Sequence, residues 1–396
     1  MLKQGYKTQE LIYYTGYILY MIAAAFLVNV YNPLSKLVKV LSILVMVGGC
    51  LYGIRQIRTG DIFRNLLVIG IIVMTALLLD FKLAVFFIFI YAFADCRFDT
   101  LIKLDFILRL SGFLATVLCC ALGLAEDYVL KTYRSGGALV LRHSLGHAHP
   151  NSCFLMVFIL LVDYLLLRAL KKGRTDLLDT LAVFAFAVLI KEITDCRAGF
   201  ALIVLFAVLM YVQGRWRVCQ KFPFIPKLLC YSAALCMVLS VVLMLLYRHV
   251  PAIGEPLNNV LTKRLSSMSY FFETYGVSLL PTVTQRVSTR EAAETGARAL
   301  VLDNLYANLL ISFGLVFTAV YLYLQARIGK LLVKAKRYEY LLVFTILAVY
   351  GIVEGMALNL DYNYFLVLAR FVLFPRTDPQ LLAGAPRLST ERKLYE

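Results

Sequence analysis

The chain has 396 residues, of which 61% are hydrophobic and only 16% are charged. This composition excludes a soluble globular protein and a disordered chain, because neither carries so many apolar residues with so few charges. The net charge of +16 would suggest nucleic acid as the partner of a soluble protein, but in a membrane protein the charge must first be compared with the topology.

Twelve apolar stretches are long enough, or nearly long enough, to cross a bilayer, since a helical span needs roughly 20 apolar residues. Together they leave no room for a separate soluble domain. We therefore predict an all-α polytopic membrane protein that forms one integral membrane domain over residues 1–396, with a tail at 376–396. The predicted spans are 11–30, 37–54, 65–80, 83–95, 106–125, 153–169, 177–191, 199–213, 228–247, 304–324, 340–353 and 363–375.

The distribution of basic residues predicts the orientation. When the amino terminus is placed in the cytoplasm, 24 of the 40 Lys and Arg residues fall in the cytoplasmic connections and the tail. The short connections then follow the positive-inside rule, so both termini are predicted to be cytoplasmic. Contact with anionic lipid explains these charges, and no nucleic-acid partner is predicted. Lys39, Arg109 and Arg370 lie inside or at the edges of spans, where we expect side chains that snorkel near helix ends.

This topology places two long segments, 126–152 and 248–303, on the outer face of the membrane. A short outer turn carries Asp195 and Arg197, and a later outer segment, 354–363, contains two acids and two amides. For that later segment, helix capping is the favoured interpretation and a sugar-binding groove is the alternative. Long ordered loops usually carry function. All four histidines fall on this face, and they are His143, His147, His149 and His249.

The run 142–151 concentrates hydrogen-bond donors directly before a span. Asn151, or the serine after it, could cap that span with Pro150 in its first turn. His147 and His149 lie two residues apart, but no third ligand accompanies them at helical spacing, so no metal site is predicted.

The loop 248–303 begins with apolar residues three to four positions apart, which is typical of an amphipathic helix on the membrane surface. Arg264 lies at the edge of this stripe, and Asp303 and Asn304 precede the next span. Asp303 could cap that span; alternatively, a carboxylate that faces several arginines is placed to accept a proton from a hydroxyl group. The stripe consists of Leu257, Leu261, Leu265, Met268 and Phe272.

Three motifs together resemble the O-antigen polymerase and O-antigen ligase-like superfamily over nearly the whole chain. They are Arg-x-Ser-Leu-Gly-x-x-His-Pro-Asn at 142–151, Arg-Ala-Gly at 197–199, and Asp303-Asn304 followed by Gly314. Members of that superfamily are polytopic, GT-C-like proteins with one enlarged outer loop, and they transfer glycans linked to a lipid pyrophosphate. Asp303 stands where the ligase branch has His, so the chain is more similar to the polymerases of O-antigen, capsule or exopolysaccharide.

The resemblance implies a location in the bacterial cytoplasmic membrane, an undecaprenyl-pyrophosphate-linked oligosaccharide as donor, and no cofactor or metal. It also implies flippase and chain-length regulator proteins as partners. Arginine can bind phosphate oxygens in a fork while the leaving pyrophosphate gains charge. We therefore expect Arg197 and Arg264 to bind the pyrophosphate, with Arg142 as a third donor.

The acceptor hydroxyl must be oriented and must lose a proton. We expect Asp303 to be the base, with His149 or His147 as the second choice. Asn304 is expected to hydrogen-bond the sugar or to orient its neighbour. The remaining predicted binding residues are Arg286 and Asn151.

Two alternatives stay open at this stage. One is a ligase that moves finished glycan onto another acceptor. The other is a flippase or transporter, since twelve spans with both ends inside is a common layout among transporters. A transporter favours ionisable groups in the middle of the bilayer, internal repeats or broken helices, whereas here the polar groups concentrate at the outer ends of the predicted spans.

Overall fold

The computed structural model describes residues 2–54, 81–93, 96–133 and 138–374, with isolated positions between 62 and 73. This part of the chain is predominantly helical, and seven of its helices are long and apolar enough to cross a membrane. The prediction of a helical, multi-pass membrane protein is therefore confirmed. The seven helices are Thr8–Val30, Asn32–Tyr52, Phe98–Ala121, Pro150–Lys172, Arg197–Trp216, Ser232–His249 and Leu305–Lys334.

Four of the other five predicted spans coincide with shorter or more polar helical segments. The predicted span 177–191 falls within the helix Leu177–Thr194, which carries three charged residues. The predicted spans 83–95 and 340–353 match short apolar helices. The last predicted span is a 3-10 turn, Tyr364–Leu368, that continues as Ala369–Leu373. The predicted span 65–80 and the tail 376–396 lie largely or wholly outside the described residues.

The chain forms two compact units, and the first comprises Met1–Val68, Phe87–Arg217 and Leu373–Glu396. Phe89 lies fully buried in this unit, and its ring contacts that of Tyr20 at a centroid distance of 5.0 Å. The described elements of this unit are the helices Leu2–Ile22, Ala23–Leu27 (a π-turn), Val28–Val30, Asn32–Ile54, Phe98–Ala121, Pro150–Lys172, Leu177–Thr194 and Arg197–Trp216, and the strands Leu130–Tyr133 and Leu139–Arg142.

The two strands are antiparallel and pair Leu130 with Arg142. They form a hairpin inside the segment 126–152, so this part of the predicted all-α chain is extended rather than helical. Its second strand ends at Arg142, directly before the motif that precedes the helix Pro150–Lys172.

The second unit comprises Ile69–Phe86 and Val218–Val372. The helix Phe81–Ala92 begins in this unit and ends in the first one. The further described elements of the second unit are Val218–Lys221, Phe224–Leu229, Ser232–His249, Pro251–Val260, Arg264–Tyr275, Thr289–Thr295, Leu305–Asn308, Leu309–Phe313 (a π-turn), Gly314–Lys334, Tyr338–Tyr350, the 3-10 turns Gly355–Leu358 and Tyr364–Leu368, and Ala369–Leu373.

The sequence suggested one amphipathic helix along the stripe of the long loop, but the stripe is divided between the helices Pro251–Val260 and Arg264–Tyr275. Thr262 and Lys263 have φ values of 53° and 65°, so the chain breaks into two helices just before Arg264. The apolar side chains of the second helix are buried inside the second unit, where they are removed from water. The buried cluster consists of Met244, Leu265, Met268, Phe271, Leu302, Ala307 and Ile311.

Replacement of Phe271, which is fully buried, should therefore destabilise the second unit. We expect Phe271→Ala to cost about 3–5 kcal/mol and to lower the thermal midpoint of the detergent-solubilised protein. Phe224→Ala is the matched control, since that ring is 65% exposed. Equal midpoints for the two variants would contradict the packing of Phe271 in the buried cluster.

Candidate functional site

The residues Asp303 and Asn304 lie where the long loop of the second unit enters the helix Leu305–Lys334. Asn304 is the N-cap of this helix, and its Oδ1 accepts a hydrogen bond of 2.8 Å from the Ala307 amide. Its Nδ2 donates to Ser240 Oγ at 3.0 Å and to the Ile352 carbonyl at 2.8 Å. The capping role considered for Asp303 thus belongs to Asn304, and the Asp303 carboxylate is available for other contacts.

Asp303 faces the arginines of the loop. Arg264 Nη2 lies 3.9 Å from Asp303 Oδ2, a loose ion pair in which the two side chains are 14% and 34% exposed. Arg264 Nε is buried without a hydrogen-bond partner among the described residues. Burial raises the pKa of Asp303, although the charges of Arg264 and Arg286 oppose this shift. The guanidinium of Arg264 therefore keeps unused donor capacity beside a carboxylate.

Arg286 donates hydrogen bonds to three side-chain oxygen atoms. Its Nη2 donates to Asn308 Oδ1 at 2.6 Å and to Ser312 Oγ at 2.8 Å. Its Nε donates to Thr284 Oγ1 at 3.2 Å. These bonds fix the Arg286 side chain near enough to Asp303 for its charge to act on that carboxylate.

Gly314 allows the segment 278–282, which precedes Arg286, to lie against the start of the helix Gly314–Lys334. The Thr282 amide donates to the Ser312 carbonyl at 2.9 Å, and the Leu315 amide donates to the Ser278 carbonyl at 2.9 Å. Gly314 has φ 80° and ψ 170°, a conformation that only glycine adopts readily. A Cβ atom there would lie 2.7 Å from the Leu280 carbonyl oxygen. The glycine of the motif is thus needed for the close approach of two backbones.

Glu354, for whose segment 354–363 the sequence analysis favoured helix capping over a sugar-binding groove, lies near Asp303 and Arg264. Its side chain is buried, with 6% exposure, in the turn that follows the helix Tyr338–Tyr350. Burial raises the pKa of Glu354 to about 8; nearby Asp303 adds to this shift, and Arg264 opposes it. An acid directly after an apolar stretch is the only signal for it in the sequence, and that signal also fits ordinary capping.

In the first unit, Arg142 is buried and its guanidinium donates hydrogen bonds to neighbouring residues. Its Nε donates to the Thr194 carbonyl at 2.8 Å and its Nη2 donates to Asn151 Oδ1 at 2.5 Å. These bonds tie the hairpin to the end of the helix Leu177–Thr194 and to the start of the next membrane helix. Arg142 and Asn151, which the sequence predicted as ligands, are therefore brought into contact with each other.

Asp127 organises the turn after the hairpin, and the sequence analysis did not select it. Its Oδ1 accepts hydrogen bonds of 2.9 Å from the amides of Ser144 and Leu145, and its Oδ2 lies 2.6 Å from His143 Nδ1. Burial opposes ionisation, but these bonds hold the pKa of Asp127 below its ordinary value. Leu145 has φ 50°, so the carboxylate stabilises a strained turn.

The two predicted histidines have different surroundings. His149 is the N-cap of Pro150–Lys172, and its Nδ1 accepts a hydrogen bond of 3.1 Å from the Asn151 amide. His147 is buried against the Phe113 ring, its Nδ1 lies 3.3 Å from Asn29 Nδ2, and its Nε2 has no partner among the described residues. Burial lowers the pKa of each to about 4, helped at His149 by Arg142, so both are neutral near pH 7. Their role as a second-choice base stays a prediction.

Arg197 is the first residue of the helix Arg197–Trp216 and keeps 60% of its side chain exposed. Its Nε donates to Asp195 Oδ1 at 3.1 Å. Gly199 allows close helix packing, since a Cβ atom there would lie 2.6 Å from the Phe154 ring. Arg197 therefore presents its guanidinium outward from a tightly packed helix end.

Arg109 does not snorkel, contrary to expectation. It is fully buried in the span Phe98–Ala121, where its Nε pairs with Asp105 one turn away. Tyr17 donates a hydrogen bond to the same carboxylate, and Asp163 of the next span acts on the guanidinium electrostatically. The spacing of four residues between Asp105 and Arg109 is a sequence signal for this pair.

The second unit thus brings together Arg264, Arg286, Asp303, Asn304 and Glu354, which we call the carboxylate–arginine site. Arg142, His147, His149, Asn151 and Arg197 belong to the first unit. Within the part of the chain that the structure describes, no three His, Cys, Asp or Glu side chains form a group that could hold a metal ion.

Comparison of the chain with protein-family models, curated proteins and solved structures finds no match. The functional argument therefore depends on the chemistry of the described side chains.

The close approach at Gly314 leads to a stability prediction. Gly314→Ala should lower the thermal midpoint, because the backbone conformation disfavours a side chain by about 1–3 kcal/mol and the Leu280 carbonyl must also move. Gly276→Ala is the matched control: Gly276 has φ 68° and ψ −158°, with open space around the position of a Cβ atom. If Gly276→Ala destabilised the protein as much as Gly314→Ala, the contact with Leu280 would be refuted.

The raised pKa of Glu354 leads to a pH-dependent stability. Between the ordinary glutamate pKa and about 8, the folded protein binds a proton that the unfolded chain has lost, so this contribution to stability falls as the pH rises. The gain in thermal midpoint caused by Glu354→Gln should therefore be larger at pH 9 than at pH 6. Glu273→Gln, at a side chain that is 58% exposed, is the control and should show little change between the two pH values.

Proposed function

We propose that this protein is a polysaccharide polymerase of the bacterial cytoplasmic membrane. It transfers a glycan from undecaprenyl pyrophosphate onto a lipid-linked repeat unit at the outer face. The observation that carries the proposal is the carboxylate–arginine site, in which Arg264 lies 3.9 Å from Asp303 and the charge of Arg286 also acts on that carboxylate, at the start of a candidate span.

The charges of the site suit the chemistry of this transfer. Displacement at the anomeric carbon gives the sugar positive character, while the departing pyrophosphate gains negative charge. Guanidinium groups stay ionised at all relevant pH values and bind phosphate oxygens in pairs. Arg264, whose Nη2 lies beside Asp303, and Arg286, whose charge acts on the same carboxylate, supply such groups.

Arg197 fits the same proposal as a further phosphate ligand. The Arg197 side chain is 60% exposed, so a phosphate group can compete with Asp195 for its guanidinium. Arg142 fits less well as a direct ligand because Thr194 and Asn151 already hold it. We assign it to positioning the hairpin and the His149 turn.

The proposal includes the finer topology. Twelve spans, cytoplasmic termini and an outer position of 248–303 would place the carboxylate–arginine site on the face where lipid-linked glycans are elongated. The basic residues support this orientation through the positive-inside rule.

The buried Asp105–Arg109 pair favours a second candidate, transport of a lipid-linked oligosaccharide. Ionisable groups inside a span are energetically unfavourable and often mark transport pathways. The π-turn Ala23–Leu27 interrupts the first candidate span, and π-turns are frequent at functional sites.

The test is a deletion strain complemented by the wild-type gene or by Arg264→Ala, with surface polysaccharide length and lipid-linked intermediates measured in parallel. We expect the deletion to lose long polymer and to accumulate single lipid-linked repeats on the outer leaflet. Arg264→Ala should reproduce this phenotype, because loss of one donor to a developing anion slows such reactions by about 100- to 1,000-fold. Immunoblots verify that the variant reaches the membrane.

Arg290→Ala is the matched control, since Arg290 is 45% exposed on a surface helix and pairs with Glu294. It should leave polymer length unchanged. Accumulation of repeats on the inner leaflet would instead identify the transporter, and full-length polymer that stays linked to lipid would identify a ligase. Unchanged polymer in the deletion strain would refute all three.

A further inference from the structure

The Glu354 side chain is a buried acid of the second unit, and it is 6% exposed. Burial of a carboxyl group disfavours its charged form, because the charge loses its hydration. The backbone around it is ordered, since the Glu354 amide donates to the Tyr350 carbonyl at 3.0 Å.

The turn that carries Glu354 is fixed against the segment that carries Asp303. The Leu305 amide donates to the Gly351 carbonyl at 2.8 Å, and Asn304 Nδ2 donates to the Ile352 carbonyl at 2.8 Å. On the other side of Glu354, a Cβ atom at Gly355 would lie 3.2 Å from the Leu302 carbonyl oxygen. The Glu354 backbone is therefore held beside Asp303 on both sides.

The charged groups that act on Glu354 are Asp303 and Arg264, and Arg286 acts on Asp303 in turn. Asp303 has a cationic neighbour at 3.9 Å, which opposes the rise in its pKa that burial causes. Glu354 forms no ion pair of this kind with a described residue. The pKa of Glu354, which burial raises to about 8, suits proton transfer near neutral pH.

We propose that Glu354 is the general base that takes the proton from the acceptor sugar hydroxyl, while Asp303 orients Arg264. This inference rests on the proposed polymerase function. In the step, the acceptor oxygen forms a bond to the anomeric carbon of the donor as its proton passes to the Glu354 carboxylate. The bond from that carbon to the phosphate oxygen breaks, and undecaprenyl pyrophosphate leaves with the electron pair.

The test measures elongation by the purified full chain in lipid nanodiscs between pH 5.5 and 9.5. The substrate is the lipid-linked repeat unit extracted from the deletion strain. The wild-type kcat should rise with pH to a plateau above about 8, because the base must be ionised. Glu354→Gln should lower kcat by about 100- to 10,000-fold with KM changed less than threefold, and it should abolish this rise.

Glu354→Asp keeps a carboxyl group and should recover at least tenfold of the activity lost in Glu354→Gln. Glu273→Gln is the control for charge, and its rates should lie within threefold of wild type. Asp303→Asn should raise KM and keep the rise of kcat with pH.

The proposal for Glu354 is overturned if Glu354→Gln keeps both the rise with pH and a kcat within threefold of wild type. It is also overturned if Asp303→Asn abolishes the rise, because Asp303 is then the base. A wild-type protein that elongates no lipid-linked repeat at any pH overturns the polymerase function itself, together with the step assigned to Glu354. The stability profile of Glu354→Gln independently verifies that this variant is folded.

Discussion

The side chain of Asn304 makes the hydrogen bonds on which the carboxylate–arginine site depends. Its amide group caps the helix Leu305–Lys334, contacts Ser240 on the helix Ser232–His249 and binds the carbonyl of Ile352. A buried amide whose donors and acceptor are all used is favourable, whereas an unused one would be strongly unfavourable. Asn304 thus fixes three elements relative to one another, and Asp303 and Glu354 follow from that arrangement.

Two interruptions of regular helical structure place Arg264 and Arg286 at the site. Thr262 and Lys263 have left-handed backbone conformations that interrupt the helical chain, and Arg264 is the first residue of the helix that follows. Gly314 lets the 278–282 segment lie against the start of the membrane helix, and Arg286 follows four residues later. The left-handed conformation is unfavourable for Thr262 and Lys263, which carry side chains, whereas Gly314 adopts its conformation readily.

Composition and hydropathy were sufficient to predict a helical membrane protein, because a lipid environment demands apolar helices. The Asp303-Asn304 pair was also recognisable, since Asp and Asn directly before an apolar run often cap the helix that follows. The convergence of Arg264 and Arg286 could be expected only as a hypothesis, because it depends on how a loop of 56 residues (248–303) packs back onto the second unit. Its apolar stripe equally fits a helix on the membrane surface, and only tertiary contacts favour burial.

Isolated acids were the hardest residues to assign. Glu354 has no regular spacing to any partner, so its burial follows entirely from the fold. Arg109 differs, because Asp105 lies one helical turn before it; this spacing is a signal for an ion pair, although the sequence analysis expected Arg109 to snorkel.

The balance of charge explains why two acids and two arginines would occupy one site. With Glu354 protonated, two arginines face one carboxylate, and the site carries a net positive charge that attracts an anion. Ionisation of Glu354 would neutralise the site and weaken that attraction, which is why its proton affinity must be high in the empty site. Arg264 acts on both Asp303 and Glu354, so the charge of this one arginine links the binding of an anion to the ionisation of the two acids.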